Sequence, residues 1–145
     1  MKLRVGQPWM PAADYGRRLR GLSVNLLVRD IEGALVFQRT VLRAEVVYAD
    51  PDFAVLRGYG AEWMLHADHT YQGHPLLREV ASVTARGIGA ELRIHGCDPD
   101  AATAAARASG FNVLADPADK PHGLREAYLV DADGYVWVPD VPVSG

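Results

Sequence analysis

One succession of strand and helix signals occurs twice along this chain, which constrains it to fold as two copies of a small unit on one plan. In the first copy Leu22, Val24, Leu26 and Val28 alternate with Ser23, Asn25 and Leu27, the period of a half-buried strand. Asp30 then offers a helix N-cap. Ile31, Ala34, Leu35, Val41 and Leu42 follow at helical spacing and predict a helix over 31–42. Residues 45–49, 53–57 and 61–65 read as strands, parted by the turn sequences Asp50-Pro51-Asp52 and Gly58-Tyr59-Gly60. The order is strand, helix, strand, strand, strand.

The second copy starts at Glu91, where Leu92 and Ile94 alternate with polar neighbours. Asp98-Pro99 supplies an N-cap and a proline at the first helical position, Ala-rich residues 100–109 continue the helix, and Gly110 ends it. Strands are predicted over 112–115, 124–130 and 135–138, with Asp131-Ala132-Asp133-Gly134 as the tight turn between the last two. Ser23 and Asp30 lie 68 residues before Glu91 and Asp98, whereas Gly60 and Trp63 lie 74 before Gly134 and Trp137. The second copy therefore holds six extra residues, expected around Asp119 to Gly123.

Length and charge limit what such a pair can do. At 145 residues the chain can bury a core without a staple, and its single cysteine, Cys97, allows no intrachain disulfide. No histidine-base arrangement points at Cys97, which reads as an unreactive thiol. A net charge of −3 offers nothing to a nucleic-acid backbone or an anionic membrane, which leaves small molecules or proteins as partners. No apolar run approaches the ~20 residues that span a bilayer and no secretory signal is visible, so a cytoplasmic location is expected.

Two stretches carry a family resemblance. Val28-Arg29-Asp30 leading into Ala34-Leu35-Val36-Phe37, and the ending Gly123-Leu124-Arg125-Glu126-Ala127-Tyr128-Leu129-Val130-Asp131-Ala132-Asp133-Gly134-Tyr135, resemble the glyoxalase, bleomycin-resistance and extradiol-dioxygenase superfamily, the vicinal oxygen chelate proteins. The resemblance covers about residues 21–141. It implies an α+β fold of paired βαβββ modules, here about 21–68 and 89–142 of a single domain over 21–142, each curling its sheet into a cup. It also implies a homodimer in which cups face each other over a ligand cavity.

In each module one sheet face packs on the helix and the other lines the cup. Parity assigns Ser23, Asn25 and Leu27, then Glu62, Met64 and His66, to the first cup. It assigns Glu91, Arg93 and His95, then Val136 and Val138, to the second, and puts Trp63 and Trp137 on the helix side as core anchors. Family members that use a metal hold it at four positions that correspond here to Ser23, Met64, Glu91 and Val138, of which Glu91 alone is a credible ligand. The resemblance thus points to a protein without the family metal centre that binds a small organic molecule through Asn25, Ser23, Glu62, Met64, His66, Arg93, His95, Arg125 and Val138.

The alternative is a glyoxalase-like lyase or isomerase, or a dioxygenase, with Glu91 as base or as part of an atypical divalent-metal site. His66, His69, His74 and His95 are the further residues such a site could draw on. Glu91 and Arg93, two apart on one face, equally suit an ion pair that orders the cavity wall, and Arg125 equally suits a bridge to Glu126 or Asp131. Residues 1–20 form an arm outside the repeat, suited to closing the pocket, to clasping a second subunit, or to strapping a sheet edge through Trp9. The connection over 66–89, with Tyr71, Pro75, Leu76 and Leu77, either caps the cavity or links the modules.

Overall fold

The structure, a computed structural model, describes residues 1–144. A short helix α1 (Ala12–Arg18) precedes the first module, which comprises β1 (Asn25–Val28), α2 (Ile31–Thr40), β2 (Glu45–Ala49), β3 (Phe53–Gly58) and β4 (Ala61–Ala67). A 3-10 turn (Asp68–Tyr71) and helix α3 (Pro75–Val80) lead to the second module of β5 (Leu92–His95), α4 (Pro99–Ala108), β6 (Asn112–Asp119), β7 (Leu124–Val130) and β8 (Val136–Pro142). The sheets have matching orders, β1-β4-β3-β2 and β5-β8-β7-β6, with β1 parallel to β4 and β5 parallel to β8. The duplicated plan is therefore present as two α+β units.

Local chemistry explains the helix boundaries. The Asp30 carboxylate accepts from the Gly33 amide at 2.8 Å, and a Cβ on Gly33 would lie 2.9 Å from that oxygen, so glycine leaves room for the cap. Asp98 accepts from the amides of Asp100 and Ala101, Pro99 fills the first helical position, and Gly110 leaves α4 at φ +80°. Alternate strand residues then share one buried cluster with the helices: Leu26, Val28, Leu56, Trp63 and Leu65 from one sheet, and Ile94, Ala127, Leu129 and Trp137 from the other. Trp63 and Trp137 meet across it with ring centres 5.7 Å apart. Their indole N–H groups donate to Gln38 and Asp131, each at 2.9 Å, so neither buries an unpaired donor.

Four details differ from the sequence reading. Pairing of β1 with β4 starts at Asn25 opposite Met64, so Leu22, expected on the helix face, is 93% exposed, and Ser23 precedes the strand. Likewise Glu91 lies just ahead of β5. Strand β8 continues past Val138 to Pro142 and carries a buried Asp140. The additional length of the second module is spread along β6, which runs to Asp119 with two register shifts, and the turn after it.

The connection over 66–89 links the modules, and its Thr70 also borders the cavity described below. Its Arg86 forks onto Asp68 at 2.8 and 2.9 Å and donates to the Leu27 carbonyl, while Gly87 N–H donates to the Gly134 carbonyl at 3.0 Å. Arg29 of the first module reaches Asp133 of the second at 3.1 Å and the Val83 carbonyl at 2.8 Å. Among the described residues no helix is long and apolar enough to cross a membrane.

Candidate functional site

Because the helix sides of both sheets share one core, their inner faces are directed away from it. On the first sheet that face carries Asn25 and Leu27 from β1, Phe53 and Val55 from β3, and Glu62, Met64 and His66 from β4. The arm of residues 1–20 folds over it. Trp9 stacks on Tyr48 with centres 4.6 Å apart and planes at 18°, and Tyr15 meets Phe53 edge-on at 5.9 Å. This placement matches the strap over a sheet edge through Trp9, since Tyr48 lies on the edge strand β2, and it also closes a pocket.

Polar contacts fix the arm at both ends. Asp52, 2% exposed, accepts from the amides of Leu3 at 2.6 Å and Arg4 at 3.1 Å and meets His69 Nε2 at 2.7 Å. Arg4 also reaches Asp50 at 3.2 Å. Burial alone would raise the Asp52 carboxyl, but the bonds from His69 and the two amides outweigh it and hold the group below its ordinary value. At the other end the Tyr15 hydroxyl donates to Glu62 at 2.9 Å, and burial together with that carboxylate pushes the phenol up to about 12. A carboxyl whose folded value is depressed contributes stability above the usual carboxylate range and loses it as pH falls through the folded value. The Asp52 anchor is therefore expected to fail in acid. At neutral pH, Asp52→Ala should free the arm, so that trypsin cuts at Arg17, Arg18 or Arg20 at least tenfold faster while the core melts within a few degrees of wild type. Unchanged cleavage would show that the arm is held by other contacts.

Between arm and sheet lies a cavity of about 300 Å³, walled chiefly by Trp9, Met10, Tyr15, Phe53, Met64 and His66, with Lys2, Arg4, Asp52 and Thr70 at its polar margin. His66 is held from behind: its Nδ1 lies 2.5 Å from Asn25 Oδ1, and Asn25 Nδ2 donates to the Tyr71 hydroxyl at 2.7 Å. Burial lowers the pKa of this imidazole, which favours the neutral ring.

The second inner face is an ion cluster open to solvent. Arg93 binds Glu91 at 2.6 Å, Asp140 at 3.3 Å and Glu126. Glu126 and Asp140 have side chains only 3% and 1% exposed. Burial alone would raise Glu126, but the Arg93 guanidinium holds it below its usual value. His95 is 70% exposed with Nδ1 2.7 Å from Asp140, and the Tyr128 hydroxyl donates to Glu91 at 3.1 Å.

The structure thus brings Met64 and His66 to one cavity, with Asn25 behind His66, and Glu91, Arg93 and His95 to the other sheet. Glu62 sits at the end of the first group, bound by Tyr15 and Arg57, while Ser23 is exposed outside the strand. Val138 is buried in register with Arg93 and offers no surface to a ligand. Arg125 turns to the helix side and forks onto Asp100 of α4 at 2.7 and 2.8 Å, with Asp119 at 3.0 Å, so its protein partners are these two rather than the expected Glu126 or Asp131. Glu91, 45% exposed and paired with Arg93, lacks the burial on which its role as a base depended. Cys97 is buried, and burial pushes its thiol up.

The four family metal positions do not fit a divalent ion. They supply an exposed hydroxyl, a thioether, a carboxylate already bound to Arg93 and a hydrocarbon, divided between two sheets. The histidines are engaged separately: His66 with Asn25, His69 with Asp52, His74 with the Leu76 amide and His95 with Asp140. Among the described residues no group of three or more His, Cys, Asp or Glu could hold a metal.

Sequence reasoning gave Trp9 only as a strap and Asp52 only as a turn residue, and passed over Tyr15 and Phe53. Parity along β3 puts Phe53 on the face of Val55 and was a usable signal. The contacts of the arm join residues about 40 positions apart and had none.

No protein-family model matches this sequence, and no curated protein matches it. Solved structures do. A glyoxalase-related enzyme from Fulvimarina pelagi, 20% identical, superposes with a TM-score of 0.66 over 88% of this chain and 94% of that one. A glyoxalase/bleomycin resistance protein/dioxygenase family enzyme from Burkholderia phytofirmans PsJN, also 20% identical, gives 0.68 over 83% and 97%. A genomically encoded fosfomycin resistance protein from Listeria monocytogenes, 15% identical, gives 0.63 over 86% and 95%.

Proposed function

We propose that this chain, which has the fold of the glyoxalase/bleomycin resistance/dioxygenase proteins, binds a small organic molecule between its arm and its first sheet. The observation that carries this reading is the cavity itself: about 300 Å³, at the small end of ligand sites, with three aromatic rings and two methionines in its walls. Such walls suit a compact, flat and mostly apolar guest of one or two rings. No metal takes part in this reading. The lyase, isomerase or dioxygenase alternative finds no support at Glu91, which is open to water and tied to Arg93.

The test is a thermal-shift and calorimetric screen of small neutral, acidic and hydroxylated aromatic compounds. Saturable one-to-one binding is expected, and Trp9→Ala should weaken it about tenfold or more while leaving the core melting point nearly unchanged. A protein that binds none of them, or binds them equally well without Trp9, would contradict this reading. The homodimer implied by the family resemblance belongs to the same proposal: the second sheet, which the arm leaves uncovered, is the face that a second copy would meet. Sedimentation at micromolar concentration should then give twice the chain mass.

A further inference from the structure

Three residues from separate elements line up behind the cavity: His66 on β4, Asn25 on β1 and Tyr71 in the 3-10 turn. Asn25 Nδ2 donates to the Tyr71 hydroxyl at 2.7 Å, which turns the amide so that its Oδ1 faces His66 Nδ1 at 2.5 Å. A carbonyl oxygen only accepts, so Nδ1 must carry the ring proton. In a neutral imidazole the other nitrogen, Nε2, is then a bare acceptor. Among the described residues no protein group hydrogen-bonds to Nε2, and the ring that bears it borders the cavity. The ring is also held in place, with Phe53 at 4.7 Å and Tyr71 at 5.7 Å between centres.

The other polar groups at the margin are occupied or remote. Arg4 and Asp52 are spent on each other and on Asp50 and His69. Lys2 is exposed at the outer edge. Among the described residues His66 Nε2 is the acceptor left free in the apolar wall, away from the exposed Lys2, and such a wall selects a guest that donates a single hydrogen bond from an aromatic body.

Building on the proposed ligand site, we infer that His66, set in its tautomer by Asn25 and Tyr71, is the specificity residue of this cavity and that the ligand class is a hydroxylated aromatic, bound with its phenolic O–H donated to His66 Nε2. Burial of the ring, which keeps it neutral, supports the assignment. His66 here binds and selects; Asn25 and Tyr71 are positioning residues that act through it.

Two measurements test this. The first compares p-cresol with p-xylene, which differ by a hydroxyl in place of a methyl group, on wild type and His66→Leu by calorimetry. The ratio of their affinities should fall about tenfold in the variant, because only the hydroxyl loses its partner. An unchanged ratio would overturn the role of His66 while leaving the cavity as a binding site. Failure of both compounds to bind wild type would overturn the ligand site itself, and with it this inference. Tighter binding of 4-methylbenzoate than of p-cresol would overturn the class in favour of an anion drawn by Lys2.

The second needs no ligand. Nitrogen NMR of the histidine rings at neutral pH should show His66 neutral and protonated at Nδ1, and Asn25→Leu should abolish that preference. A charged ring, or one protonated at Nε2 as an Asn25 amide turned end for end would impose, overturns the inference.

Discussion

Gly134→Ala should be the most damaging single-methyl substitution in this chain, lowering stability by about 3–5 kcal/mol and the melting temperature by roughly 10 °C or more. Gly134 sits in the turn before β8 at φ +89°, and a Cβ there would lie 2.4 Å from the Thr84 carbonyl oxygen, 2.5 Å from Ala85 Cα and 2.7 Å from Arg86 N. All three are backbone atoms, so no side-chain rotation relieves the overlap. The strand of chain over 84–87 lies against this turn because Arg86 and Gly87 donate to the Asp133 and Gly134 carbonyls, and pushing it away would strip those bonds. Gly123 supplies the control. It has a similar φ of +87° with nothing within 4 Å, so Gly123→Ala should cost only the left-handed backbone strain of about 1 kcal/mol. Equal melting temperatures for the two variants, by calorimetry, would refute the close packing of the connection on the turn.

Arg93→Met is the second large effect. It removes the one guanidinium that faces two carboxylates, Glu126 and Asp140, whose side chains are 3% and 1% exposed. Taking the guanidinium from this buried cluster leaves Asp140 with only the His95 ring at 2.7 Å and Glu126 with only the His122 ring at 3.4 Å, and removing one partner of such a cluster typically costs about 3–5 kcal/mol. The pH dependence has a definite sign. In wild type Glu126 is held below its ordinary value, so its contribution is present above that value and lost as pH falls through the folded one. Without Arg93, burial raises the same carboxyl, and the variant is least stable where the group must be ionised. The gap in melting temperature between wild type and Arg93→Met should therefore narrow from about pH 8 to about pH 5, and Arg93→Met with Glu126→Gln should be more stable than Arg93→Met alone. A gap that does not change with pH would mean that Arg93 acts through packing alone.

The fold was legible because its punctuation is local. Asp30, Asp98-Pro99 and Gly110 act within a few residues of themselves, and the repeated strand pattern needs only counting. The inner face was partly legible by the same alternation, which put Met64 and His66 together on β4. Arg125 was misplaced for a reason visible in its own strand: it shares parity with Ala127 and Leu129, both buried in the core, so alternation places it on the helix side with Asp100. Leu22 shows the reverse limit, since an alternating pattern continues past the point where β4 offers a partner. Glu126 and Asp140 escaped because a buried carboxylate is readable only once its cation is located, and Arg93 lies more than 30 residues from both. The covering of the first sheet by residues 1–20 depends on Trp9 meeting Tyr48 and on Asp52 meeting two arm amides, pairings that no periodicity encodes.

The chain has three methionines, Met1, Met10 and Met64, and two of them line the cavity. Carbon-13 labelling of their methyl groups therefore gives one NMR signal outside the site and two within it. Titration with p-cresol should shift the Met10 and Met64 signals together along one saturable curve and leave Met1 in place, as a guest between arm and sheet requires. Saturable binding that moves neither Met10 nor Met64, or no binding at all, would contradict the assignment of this cavity as the ligand site.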